Sequence, residues 1–225
     1  MAKKKVLNVA IDGPGGAGKS TVAKAAAKEL GLIYVDTGAL YRAVGVNALR
    51  NEIDTKDEKK IKRMLKSTVV ELRYIDGVQH VFLNDEDVSS EIRTPDASMA
   101  ASNVSAIQIV RDFLFDTQRD IAKKNNCIMD GRDIATVVLP DAQVKIFLTA
   151  SAEVRAQRRF LELQEKGSDE TYEKVLADLI ERDYQDSHRE IAPLKPAEDS
   201  IIVDTSEMTL EESISTVVNL IKEKM

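Results

Sequence analysis

Apolar residues fall into two rhythms along this chain, and the change between them organises it. Val6 to Ile11 is β-rich and runs straight into a glycine cluster, which predicts a strand. Lys19 to Leu30 follows a helical period and stops at Gly31. Leu32 to Val35 is a second short apolar run, closed by Asp36-Thr37-Gly38, and Ala39 to Arg50 is helical again. Strand, glycine loop, helix, strand, turn, helix is the opening of a βαβ fold with a parallel sheet.

The rhythm then breaks. Thr55 to Lys66 predicts a highly charged helix. Val70, Leu72 and Tyr74 alternate with Glu71 and Arg73, as in a half-exposed strand. Asp76-Gly77 is a hairpin signal, and Gln79 to Leu83 is the return strand. An antiparallel hairpin is foreign to a βαβ run, so residues 55–101 are expected to form an inserted subdomain in a core built from 1–54 and 102–225. In the second part of the core the pattern predicts one long helix over Ser102–Asn125, then strands at Cys127–Asp130 and Val144–Leu148. Charged helices follow at Ala152–Lys166 and Thr171–Ser187, then a strand at Ile201–Asp204 and a closing helix at Leu210–Lys224. The expected class is α/β, with about five parallel strands flanked by helices.

Composition narrows the function classes. At 225 residues the chain is one large domain, or one domain with an insertion. Lys and Arg number 32 against 38 Asp and Glu, a net charge of −6, which argues against a general nucleic-acid coater. One cysteine, Cys127, excludes an internal disulfide, and two histidines, His80 and His188, are too few for a histidine metal cluster. Cys127 and His80 are expected as a core and a surface residue. No apolar run approaches the roughly 18 residues of a membrane span. The start, MAKKKVLNVAIDG, reads as a first strand after a solvated Lys3–Lys5 tail, because Asn8 and Asp12 cut its apolar run short of a leader's. A cytosolic chain without a membrane or nucleic-acid partner is expected.

Gly13-Pro14-Gly15-Gly16-Ala17-Gly18-Lys19-Ser20 matches the phosphate-loop pattern GxxxxGK[ST], after a strand and before a helix. Glycines let backbone N–H groups approach phosphate oxygens, and the helix N-terminus favours negative charge. Lys19 supplies a point charge to the β- and γ-phosphates, and the Ser20 hydroxyl suits Mg2+. A small-molecule kinase, a GTPase-type switch and an ATPase motor all use such a loop. The sequence has no Asn-Lys-x-Asp, the usual guanine-reading element, which favours ATP and a kinase or ATPase.

Two further segments narrow the choice. Asp36-Thr37-Gly38-Ala39-Leu40-Tyr41-Arg42 follows the second predicted strand, and Asp130-Gly131-Arg132-Asp133 ends another. Open α/β sheets bind ligands at that edge. In this order the three segments resemble the nucleoside monophosphate kinases. The run IDGP-x-GAGKS, DTGALYR, EIRT, AASNVS, DGRDIATVVLPDA, QRR-x-LELQEKG and ERDYQDSHRE-x-APL resembles, more closely, the bacterial cytidylate kinase family, from the first strand to about Pro193. Ala135 departs from the family's usual glycine, and Ser20 stands where some members have glycine.

The resemblance implies transfer of the γ-phosphoryl of ATP to CMP or dCMP, with Mg2+, by a cytoplasmic monomer of pyrimidine metabolism. It implies that Gly13 to Ser20 and Thr21 hold ATP, with Lys19 and Arg132 at the reacting phosphates. Thr37, Arg42, Ser102, Arg111, Asp130, Arg132 and Asp133 would approach the acceptor, and Arg182, Asp186 and Arg189 its sugar and phosphate. Arg155 and Arg159 look like the arginines of a mobile lid over residues 152–168, and 55–101 like the monophosphate-binding insert. In this reading Asp133 or Ser102 accepts from cytosine N4 while Arg111 or Arg132 donates to N3 or O2. A UMP or AMP kinase and a non-catalytic nucleotide-binding regulator are the alternatives.

Overall fold

The computed structural model describes residues 6–165 and 167–225. The Lys3–Lys5 tail and Lys166, the expected end of the Arg-rich helix, lie outside them. The chain divides into two compact units, residues 1–34 with 125–225, and 35–124.

The first unit holds most of a five-stranded sheet. Its strands are β1 (Asn8–Asp12), β2 (Ile33–Asp36, whose end belongs to the second unit), β6 (Cys127–Gly131), β7 (Val144–Thr149) and β8 (Ile201–Asp204), in spatial order β2-β6-β1-β7-β8. β1 lies between β6 and β7, parallel to both. Strands buried on both faces carry near-continuous apolar runs, as Val9-Ala10-Ile11 and Cys127-Ile128-Met129 do. Helices α1 (Lys19–Leu30) and α8 (Leu210–Lys222) close one core with Val9, Ile11, Ile128, Ile146 and Leu148. Helices α6 (Ala152–Glu165) and α7 (Tyr172–His188) pack on each other through Ala156, Leu163, Val175 and Leu179. Cys127 is fully buried, and burial pushes its thiol up to about 12.

The second unit is built on α2 (Thr37–Arg50), α3 (Glu58–Leu65), α4 (Pro95–Ser105) and α5 (Gln108–Lys124). A three-stranded antiparallel sheet, β3 (Val70–Ile75), β4 (Val78–Leu83) and β5 (Glu86–Asp87), lies within the 55–101 stretch, while the unit around it spans Val35–Lys124. α2 and α4 approach closely at Gly45, where an added Cβ would stand 2.8 Å from the Ala100 Cβ. His80 sits on β4, half-buried and 2.7 Å from Asp87.

The single helix expected over Ser102–Asn125 is two. α4 starts earlier, with Thr94 accepting from the Ala97 N–H and Pro95 at the first helical position. It ends at Ser105 in a tightened turn, where the Ala106 and Ile107 N–H groups bond the carbonyls of Asn103 and Val104. Arg111 donates to the Ser105 carbonyl at that break, at 3.2 Å.

Candidate active site

In the first unit the sheet register brings two predicted segments to one edge. Asp12 pairs with Gly131 across β1 and β6, so the phosphate loop and Asp130-Gly131-Arg132-Asp133 leave the sheet side by side. Gly13 is obligatory there: with φ of +149°, a Cβ would stand 1.9 Å from the Leu148 carbonyl oxygen. The loop ends at Gly18, the N-cap of α1, which offers no side-chain acceptor to the helix. Helices α2, α3, α4, α7 and α8 are each capped by an Asp or Thr side chain. Only α1 among these six keeps its first N–H groups clear of a side-chain cap, which is what an anion needs.

Cations gather at that opening. Lys19 is buried and its Nζ donates to the Pro14 carbonyl at 2.7 Å. Burial, then the charge of Arg132, with Arg182 adding to it, pulls the Lys19 ammonium well below its ordinary range, against Asp130 and Asp12. Arg132 and Arg182 reach Gly15: a Cβ there would lie 3.6 Å and 3.7 Å from their terminal nitrogens.

Asp186, on α7, organises the arginines. Its carboxylate accepts from Arg132 Nε at 2.9 Å and lies 4.0 Å from Arg182 Nε. Burial would raise this carboxyl, but Arg132, Arg182 and Arg189 together hold it below its ordinary value. Arg189 donates to the Ala192 carbonyl and lies 3.8 Å from Asp133.

The expected lid arginines differ in setting. Arg155 is buried and tied at three points: Nε to the Ala150 carbonyl, Nη1 to the Gly15 carbonyl at 2.9 Å, and Nη2 to Asp183 at 2.6 Å. Arg159, one turn on, pairs with exposed Glu162.

Asp12 carries a role that sequence reasoning passed over. Its two carboxylate oxygens accept the Ile134 and Ala135 N–H groups, each at 2.8 Å, and so fix the chain just after Asp133. These residues open a π-helical turn, Ile134–Val138. Ala135 is not among the residues with positive φ, so alanine is accommodated in place of glycine. Burial raises the Asp12 carboxyl to about 6 despite both hydrogen bonds.

The residues also fit Mg2+ chemistry. Ser20 lies at the exposed start of α1, and buried Asp130 is the penultimate residue of β6 beside β1, accepting from the Tyr34 hydroxyl at 3.3 Å. No group of three or more His, Cys, Asp or Glu able to hold a metal occurs among the described residues. A sparse donor set suits an ion held largely by substrate phosphates and water.

The second unit gathers Thr37, Arg42, Ser102 and Arg111. Thr37 is buried at the start of α2. Asp36 caps that helix through the Ala39 N–H and accepts from Arg42 Nη2 at 2.7 Å, with Arg93 Nη1 3.5 Å away. Burial opposes ionisation of Asp36, but Arg42 and Arg93 outweigh it and hold the carboxyl below its usual value. Ser102 and Arg111 are buried beside the α4–α5 break, and the Arg111 guanidinium lies over the Tyr41 ring at 5.7 Å. Sequence reasoning missed Arg93 and Asp183, which lie inside EIRT and ERDYQDSHRE; a charge inside a matched motif is the available signal.

Cations without a poised base make sense for an acceptor that arrives with its own anionic oxygen, since catalysis is then positioning and charge neutralisation. On a parallel sheet with a phosphate loop at its central strand, that chemistry defines a P-loop nucleotide kinase. The profile of the cytidylate kinase family matches residues 9–223. A cytidylate kinase of Caldicellulosiruptor bescii is 52% identical over 216 residues, 96% of either chain. One of Lactobacillus johnsonii is 49% identical over 226 residues, covering 99% of this chain and 98% of its own. The chain belongs to the cytidylate kinase family, enzymes that phosphorylate CMP or dCMP with ATP. For the fold alone, a crystal structure of an uncharacterized protein from Eubacterium ventriosum aligns with a TM-score of 0.51 at 13% identity, over 97% of this chain and 99% of that one. No helix among the described residues is long and apolar enough to cross a membrane.

Proposed function

We propose that this chain works as a (d)CMP kinase through the residues gathered above. The observation that carries the reading is the convergence of Lys19, Arg132 and Arg182 on a loop whose helix lacks a side-chain cap. Residues 13–21 bind the ATP phosphates, and Lys19 stabilises the charge that grows on the transferring group. A phosphate oxygen of the acceptor attacks the γ-phosphorus and ADP leaves, so no residue needs to take a proton. Held by Ser20 and the ATP phosphates, Mg2+ would neutralise charge on the β- and γ-oxygens.

Arg42, Arg132 and Arg189 bind the acceptor phosphate, and Asp186 with Arg182 the sugar. Asp130 orients the acceptor side of the phosphate loop. Ser102, Arg111 and Asp133 read the cytosine amino group and its ring acceptors. A site with these polar groups rejects uracil, because the swapped donor and acceptor leave buried groups unpaired. Arg155 and Arg159 belong to a lid over about 152–168, and 55–101 is the monophosphate-binding insert. The enzyme is a cytoplasmic monomer with no nucleic-acid partner.

The test is a coupled ADP-release assay with Mg-ATP and CMP, dCMP, UMP, AMP, GMP or no acceptor. High rates with CMP and dCMP alone are expected. A preference for UMP or AMP would overturn the base-reading roles. A folded, ATP-binding protein with no acceptor-dependent ADP would be a regulatory binder instead.

A further inference from the structure

Gln79 stands one residue past the start of β4, and nothing in the reaction calls for it. Its side-chain amide nevertheless pairs with the backbone of Asp36 as a neighbouring strand would. The Asp36 N–H donates to Gln79 Oε1 at 2.9 Å, and Gln79 Nε2 donates to the Asp36 carbonyl at 3.3 Å. An amide is the one neutral side-chain group that offers donor and acceptor in that geometry.

Asp36 is the residue on which the acceptor half of the site turns. It caps α2, takes a charged hydrogen bond from Arg42 and faces Arg93. Arg42 depends on this carboxylate: its Nε is buried without a hydrogen-bond partner, and its Nη1 lies 3.1 Å from where a Cβ on Gly38 would be. A small rotation of the Asp36 backbone therefore re-aims the guanidinium, since among the described residues Arg42 makes no other side-chain hydrogen bond.

We propose that Gln79 is a positioning residue for the acceptor phosphate: its amide locks the Asp36 backbone, and through Asp36 it aims Arg42. The antiparallel hairpin thereby helps set acceptor affinity from a residue that never touches the acceptor. This rests on the reading of Arg42 as an acceptor-phosphate ligand.

The experiment uses Gln79→Met, which keeps length and packing but removes both polar groups. CMP affinity is read by calorimetry, KM for CMP and ATP by the coupled assay, and stability by thermal melting. Two lost neutral hydrogen bonds predict a CMP Kd and KM about 3- to 10-fold higher, with KM for ATP and Tm little changed. In an Arg42→Ala background the same substitution should add less than about twofold, because the residues act as one unit. Unchanged CMP affinity, or CMP and ATP weakened together, would overturn the proposal. So would a full effect repeated without Arg42. Arg42→Ala alone with unchanged CMP affinity would instead overturn the underlying reading of Arg42, and that single variant is measured before the double.

Discussion

Helices α1 and α2 each follow a strand of the same sheet, yet they open in opposite ways. α1 begins at Gly18 without a side-chain cap, beside a buried lysine and two arginines. α2 begins at Asp36, whose carboxylate caps the helix and binds Arg42. The first opening keeps backbone donors and positive charge clear of any carboxylate cap, as the proposed phosphate site requires. The second spends its anion inside the protein, to hold arginines in place. Anion binding at a helix start therefore depends on whether the chain supplies its own carboxylate there.

That contrast can be broken most sharply at Lys19. Lys19→Ala removes the charge proposed for the transferring group, and kcat should fall by about 10²- to 10³-fold with the melting temperature held or raised, since a buried cation among cations is lost. A fall of less than tenfold would mean that Arg132 and Arg182 carry the charge on their own.

The reverse pattern is expected at Asp36. Asp36→Ala removes a cap and a buried partner of Arg42, so urea melts should show a loss of about 2–4 kcal/mol. KM for CMP should rise while KM for ATP stays put. Unchanged stability would show that α2 needs no carboxylate at its start.

A smaller effect separates the carboxylates by pH. Asp36 and Asp186 are held below their ordinary value, so their ionised forms stabilise the fold above pH 3.8 and that contribution is lost as pH falls below it. Asp12 has the opposite sign: raised from 3.8 to about 6, it withdraws stability as pH rises through that window. Urea melts between pH 7 and 3 should show wild type losing more stability than Asp36→Ala below pH 4. Parallel curves would place the acid sensitivity elsewhere.

The sequence made the first unit's site legible because its chemistry is local. Eight consecutive residues carry the loop, and short apolar strands fix its edge. Arg182 and Asp186 stand one turn apart on α7, while Arg189 follows it as an extended C-cap, and Asp186 draws on these two arginines and on Arg132. The α4–α5 break was not legible, because neither glycine nor proline marks it. An arginine six residues on donates to the Ser105 carbonyl at the break, a contact that sequence spacing does not reveal. The start of α4 does carry a local signal, Thr94 as cap and Pro95 at the first turn. Asp12 escaped for a related reason: its partners are backbone N–H groups more than a hundred residues away.

The silence of Cys127 has a practical use. As the chain's sole thiol it is fully buried, with its ionisation pushed up to about 12. Maleimide dyes need an accessible thiolate, so the native protein should stay unlabelled at neutral pH. Cysteines introduced at one exposed position in each unit would then be the only sites that react. A donor and acceptor fluorophore placed there would follow the two units through the catalytic cycle, with no background to subtract and no native residue to remove first.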